Sequence, residues 1–229
     1  MPVTINGTTG EITPATSFSG SSSGSITVQA TAVAGTNTLT LPATTDTVVT
    51  LAASQTLTNK SIAASQLTGT VASARLPTGS VLQVASTSKT DTFTTTSTTF
   101  ADLTGMSVSI TPSSTSSKIL IMVALSMTGD VSTQGYARLM RDSTAIGVGA
   151  ANGSRVRASF QQIENQSNEC PTAGFTFLDS PATVSSVTYK IQLQTQGTGT
   201  IYVNRSTTWT DSAASATLCS TITVMEIAG

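Results

Sequence analysis

The chain has 229 residues, about a third of them serine or threonine, with only 9% charged residues and a formal net charge of −1. That length suffices for one large domain or two unequal ones, and the near-neutral balance argues against duplex DNA as a partner, which needs concentrated Lys and Arg. With no histidine at all, His-based catalysis and His metal ligation are excluded.

Threonine favours strands, and serine and glycine favour turns, so the composition predicts an all-β chain of many short strands. Wholesale disorder is the competing reading, but it ordinarily needs low hydrophobicity and high net charge, and 38% of this chain is hydrophobic. Met1–Gly7 has neither a basic start nor an apolar core, so no secretory signal peptide is expected. A route other than Sec is then expected for any role outside a cell. No apolar run reaches transmembrane length, and no membrane insertion is expected. Cys170 and Cys219 make neither a metal site nor a disulfide framework. One bridge is open to them if their strands are adjacent, and two buried thiols are expected in a reducing compartment.

In chain order, residues 1–80 contain only Glu11, Asp46, Lys60 and Arg75 as charges. Ile5, Ile12 and Phe18 are scattered among Gly, Thr and Pro. Ser25–Ala30 and Thr38–Leu41 alternate apolar and polar residues and read as short strands. From Ser54 to Pro77, Leu57, Ile62, Leu67, Val71 and Leu76 recur every four or five residues. That spacing fits neither a helical stripe nor strict alternation. One apolar side chain in four or five cannot offset the ordering cost of a lone chain, whereas three intertwined chains can turn each toward a shared axis. The alternative is a flexible Ser/Thr linker.

Composition shifts after Gly79, and a domain boundary is placed near residue 80. Val81–Val84 opens a strand; Met106, Val108 and Ile110 alternate with polar residues. The run Lys118–Met127 is the most hydrophobic of the chain. Ile119, Ile121, Met122, Val123 and Leu125 belong to a stretch with no polar position, so it reads as a central strand covered on both faces, by a partner sheet or a neighbouring subunit. A buried helix is the alternative. Tyr136–Arg141 and Ala145–Val148 flank Asp142-Ser143 as a hairpin. Val156–Gln162, Phe175–Leu178, Val187–Gln194, Ile201–Val203 and Ser220–Ile227 complete the set. About ten short strands with no credible helix predict a β-sandwich, jelly-roll-like, over 81–229.

Two groups of segments carry a family resemblance. Gly35–Val48, Gln55–Ile62 and Gln66–Pro77 resemble modules of bacteriophage tail-fibre shafts, with Val71 and Ser73 where Leu and Asp are frequent in that pattern. Lys89–Phe100, Ile110–Leu120, Tyr202–Ser206 and Ser220–Gly229 are similar to C-terminal domains of phage fibre-like proteins. The likeness covers most of the chain beyond residue 35. It implies a homotrimer in the virion, assembled in the host cytoplasm. On this reading residues 1–34 attach to other virion proteins, 35–80 form the trimeric stalk and 81–229 the tip.

Little chemistry is expected. The eleven acids are scattered and lie mostly beside turn residues, where Asp bonds local backbone, so no glycosidase pair of carboxylates is predicted. Gly147-Val-Gly149 and Gly197-Thr-Gly199 lack the helix and lysine of a phosphate loop. No catalytic residue, metal ligand or cofactor is assigned, and no nucleic acid is expected. Arg138, Arg141, Arg155 and Arg157 form either a basic patch for an anionic sugar or phosphate or charges paired with Asp142, Glu164 or Glu169 or left on a solvated face. Trp209, in the polar segment Ser206–Ser212 with Arg205 and Asp211 nearby, suits stacking on a sugar ring; a subunit contact or loop anchor is the alternative. Arg205, Asp211, Trp209, Arg155 and Arg157 are therefore the candidate receptor contacts. The expectation is a non-enzymatic homotrimeric tail fibre that adheres to a host glycan or protein. A capsid fibre or decoration protein and a bacterial surface protein are the alternatives.

Overall fold

In a computed structural model of the protein, residues 4–5, 12–13, 69, 71–72, 75–130, 132–163, 169–213 and 215–229 are described. The chain divides into two units, Met1–Ala63 and Ala64–Gly229. In the first, β1 (Thr4–Ile5) and β2 (Ile12–Thr13) pair antiparallel, with Ile5 opposite Ile12. The two isoleucines that looked scattered in the sequence thus form one cross-strand pair. The expected strands at 25–30 and 38–41, and Leu57, Ile62 and Leu67, lie outside the described residues; Val71 is described and exposed.

The second unit holds β3 (Val81–Lys89), β4 (Phe93–Thr95), β5 (Ala101–Ile110), β6 (Lys118–Gly129), β7 (Gln134–Arg141), β8 (Thr144–Ile146), β9 (Phe160–Ile163), β10 (Thr172–Asp179), β11 (Val187–Thr195), β12 (Ile201–Val203) and β13 (Ser220–Ile227). One sheet runs β3-β13-β6-β12-β4, with β10 on the other edge of β6. The other runs β5-β11-β7-β8, with β9 also on β7. Every pairing is antiparallel. The chain passes from one sheet to the other between β4 and β5, β5 and β6, β6 and β7, β9 and β10, β10 and β11, and β11 and β12. This repeated crossing gives the jelly-roll-like wind of an all-β sandwich.

Period-2 alternation puts the core between the sheets. On β11, Val187, Tyr189, Ile191, Leu193 and Thr195 are buried while Thr188, Lys190, Gln192 and Gln194 are half-buried on the outside. The inward set from β5, β6, β7, β11, β12 and β13 forms one apolar cluster. Packing is close enough that a Cβ on Gly135 of β7 would lie 2.7 Å from both Ile201 Cδ1 and Met127 Cε.

β6 is the central strand, flanked by β10 over 119–126 and by β13 over 118–124. Its two faces nevertheless differ. Ile119, Ile121, Val123 and Leu125 are buried in the core, whereas Leu120 and Ala124 are half-buried and Met122 is 36% exposed. Within one chain the run is covered on one face only. Of the two covers expected for this run, the second sheet supplies the one on the core side.

The Asp142-Ser143 hairpin forms between β7 and β8. Asp142 takes φ 52, a conformation Asp tolerates better than most residues. Its amide donates to Thr188 O and its Oδ1 accepts from Thr188 N, which ties the hairpin to β11. Two expectations need correction. The strand predicted over 156–162 is confined to Phe160–Ile163, because residues 149–158 close a loop in which Gly149 N donates to Ala158 O and Arg157 Nε to Gly149 O. The cysteines are not disulfide-bonded, and neither is fully buried: Cys170 is half-buried and Cys219 exposed. Strand β4, Thr-rich and only three residues long, carried no apolar alternation to reveal it.

Two buried carboxylates, each opposite Ile119 of β6 on its neighbouring strand, hold one end of the sandwich. Asp179 accepts both contacts of Arg141 Nη1 at 3.0 Å and the Tyr189 hydroxyl at 2.8 Å. Burial and that bond push the Tyr189 pKa far up, so its proton stays in place. Glu226, fully buried, is held by four neutral donors: Ser113 N, Ser113 Oγ and Ser117 Oγ at 2.7 Å and Gln83 Nε2 at 2.6 Å. Burial works to raise its pKa, but these bonds together outweigh burial and keep the carboxyl below the usual range.

Candidate functional site

The connection from β12 to β13 is the longest loop at the end of the six-stranded sheet, and one residue roots it. Asn204 follows β12 directly, is buried, and takes the left-handed φ of 61. Its Nδ2 donates to Lys89 O at 2.8 Å and to Asp91 O at 3.0 Å; its Oδ1 accepts from Ser220 Oγ at 2.6 Å. Its backbone N donates to Ser126 O, and its carbonyl accepts from Leu218 N. Asn204 therefore ties β3, β6 and the start of β13 to the two ends of one loop. Only a short side chain with both donor and acceptor groups, tolerant of positive φ, fits all these roles.

The loop between is held by its own hydroxyls. Ser206 Oγ donates to Thr208 O at 2.7 Å, and Thr210 N donates to Ser215 Oγ at 3.2 Å. Arg205 Nε donates to Ser206 O at 3.2 Å, which aims the guanidinium. Its Cζ lies 4.6 Å from the centre of the Tyr202 ring and 5.2 Å from that of Trp209. The Tyr202 hydroxyl in turn donates to Asp130 Oδ1 at 3.1 Å. A cation over two aromatic rings stabilises both orientations, so Trp209 is positioned and yet 41% exposed. Beside it Thr210, Asp211, Ser212, Ser215 and Thr217 complete the wall of a hollow of about 330 Å³.

Of the candidate receptor residues, the structure brings Trp209, Asp211 and Arg205 together. Arg155 and Arg157 sit apart from this hollow's lining, in the β8–β9 loop; Arg155 Nη1 bonds Asn152 Oδ1 at 3.1 Å and Arg157 Nε bonds Gly149 O at 2.8 Å. Arg138 and Arg141 are on β7 while Arg155 and Arg157 are in a loop, so the four do not line neighbouring strands. Arg138 lies 4.0 Å over the Phe100 ring and donates to Gln192 Oε1, and Arg141 pairs with Asp179. Tyr202 and Asn204 went unnoticed as site residues, although both fall in the Tyr202–Ser206 segment that carries part of the resemblance. The one further signal of Asn204 was its place directly after an apolar Ile-Tyr-Val strand.

The hollow has an aromatic face, one carboxylate and several hydroxyls, the groups that meet the apolar face and the hydroxyl edge of a sugar ring. Asp130, Asp142 and Asp179 are occupied elsewhere: Asp130 Oδ2 accepts from Thr200 N at 2.7 Å, and the other two brace β11. Among the described residues no group of three Cys, Asp or Glu is placed to hold a metal ion. No helix among them is long and apolar enough to cross a membrane.

No protein-family model matches the chain, and comparison with curated proteins finds no match. Among solved structures, the chain is similar to the infectious bursal disease virus VP2 subviral particle, at 12% identity and a TM-score of 0.28. The likeness covers 64% of this chain and 38% of that one, so the chain spans well under half that protein's length.

Proposed function

We propose that the protein is a non-enzymatic virion fibre, a homotrimer whose β-sandwich adheres to a sugar on the host surface. The observation that carries the reading is the Trp209 hollow: an indole under the Arg205 guanidinium, open to solvent, with Asp211 and four hydroxyl residues around it. The resemblance of 35–77 and of the C-terminal segments to phage tail fibres supports the trimer and the place on the tail. Residues 1–34 then dock to other virion proteins and 35–80 form the stalk. Three identical tips multiply weak sugar contacts into firm adhesion.

The test is adsorption of particles carrying Trp209→Ala, alongside binding of the purified protein to immobilised host-surface glycans. Loss of one stacked ring, worth about 1–2 kcal/mol, lowers single-site affinity roughly 5- to 30-fold. Three sites compound that loss. Adsorption and glycan binding equal to those of the unaltered protein would reject the site.

A further inference from the structure

The two outer faces of the sandwich are built differently. On the five-stranded sheet the outward residues form a closed polar ladder. Lys190 Nζ and Gln192 Nε2 bond Asp102 at 2.7 and 2.6 Å, Arg138 bonds Gln192, and Ser109 bonds Thr188 at 2.8 Å. On the six-stranded sheet the register aligns one apolar row across four strands: Leu178 opposite Leu120, Leu120 opposite Met225, Met225 opposite Val84. Met122 stands in the next row, and Ile227 lies two positions beyond Met225 on the same face. Leu178 is 54% and Val84 56% exposed. The rows on either side are mixed, Met122 standing between Thr176 and Thr223 and Ile227 opposite Lys118, so this face carries an apolar stripe that the other face lacks, the pattern of a surface that is covered in use.

We infer that this face is covered by a second copy of the same chain, so that the sandwiches pack sheet against sheet around the fibre axis. The inference rests on the trimeric reading above and adds the surface to it. Two observations choose a copy as occupant. The first is where the chain enters the sandwich: Gly79 N donates to Ala228 O and Ala228 N to Ser80 O, both at 2.8 Å, so Gly79 and Ser80 lie beside Ile227, at the border of this face. Copies joined along a stalk that ends there hold these faces near one another. The second is size. Strand spacing and rise over Lys118–Ala124 give a face on the order of 400 Å², about half the roughly 800 Å² per partner of a free-standing interface. A face this small suffices when the stalk raises the effective concentration to roughly millimolar, and the uncharged side chains of the row set no opposing charge between copies.

The experiment uses the full chain. Peroxide oxidation of each methionine is followed by peptide mass spectrometry, and the mass of the particle is followed by light scattering. Met122 is expected to oxidise at least about tenfold more slowly than an exposed methionine. In Val84→Lys/Leu178→Lys it is expected to oxidise several-fold faster than in the unaltered protein, because repelling charges part the faces. Both substituted positions are exposed in one chain, and Met106 and Met127, fully buried, stay protected if the sandwich remains folded. A trimer in which Met122 oxidises freely, or in which the lysines change nothing, overturns this inference and leaves the trimer standing. A monomeric mass overturns both.

Discussion

Asn204 illustrates how one side chain sets the shape of a site it does not line. It gives two buried bonds from Nδ2, takes one from Ser220 and holds positive φ. Asn204→Ala leaves the carbonyls of Lys89 and Asp91 and the Ser220 hydroxyl to find other partners. Unfolding in denaturant is expected to show a loss of about 2–4 kcal/mol, with altered Trp209 fluorescence as the loop loosens. Glu226 gives a pH signature. Its folded-state pKa lies below the usual value of about 4.3. The stability it contributes is therefore present above that value and is lost as pH falls through the lower folded-state pKa. Glu226→Gln is expected to be less stable at neutral pH by about 1–3 kcal/mol and to show a shallower acid limb in thermal melts from pH 5 to pH 2. A limb unchanged by the substitution would show that other groups govern acid unfolding. Neither residue was legible as important beforehand. Both act through side-chain partners 16 to 143 positions away, and sequence spacing cannot show those pairings.

At the scale of elements, strands longer than three residues between 81 and 229 were largely legible, because one wet face imposes alternation on β5, β11 and β13. The central place of β6 was legible too, from its length and apolar content. What covers its second face was not legible, because periodicity reports only that side chains are apolar, not what covers them. That difference makes a paired test. Ile121→Lys buries an unpaired charge in the core and is expected to cost more than about 4 kcal/mol or abolish folding. Met122→Lys, one residue on and 36% exposed, is expected to cost the fold of a single chain about 1 kcal/mol or less. Comparable losses at both positions in denaturant unfolding of the dissociated single chain would contradict the assignment of faces. The Trp209 loop was half legible: an exposed Trp in a polar segment could be picked out, but its stacking against Arg205, which also lies over Tyr202, depends on a turn set by Asn204.

At the scale of the whole molecule, the second unit is a β-sandwich with an apolar stripe on one outer face and a hollow in the β12–β13 loop, and the stalk over 35–80 is part of the proposal. The sandwich was legible as a class from composition, alternation and the lack of helical periodicity. The function rests on the resemblance and on the hollow, because adhesion needs no catalytic constellation that a sequence could display. Its central claim is that the chain belongs to the outside of a phage particle, on the tail, with residues 81–229 outermost. Gold-labelled antibody raised against the β-sandwich, imaged on intact particles by electron microscopy, tests this most directly. The account expects gold at the distal ends of tail fibres, and none on particles lacking the protein; gold on the head, or on the bacterial surface before infection, would contradict it.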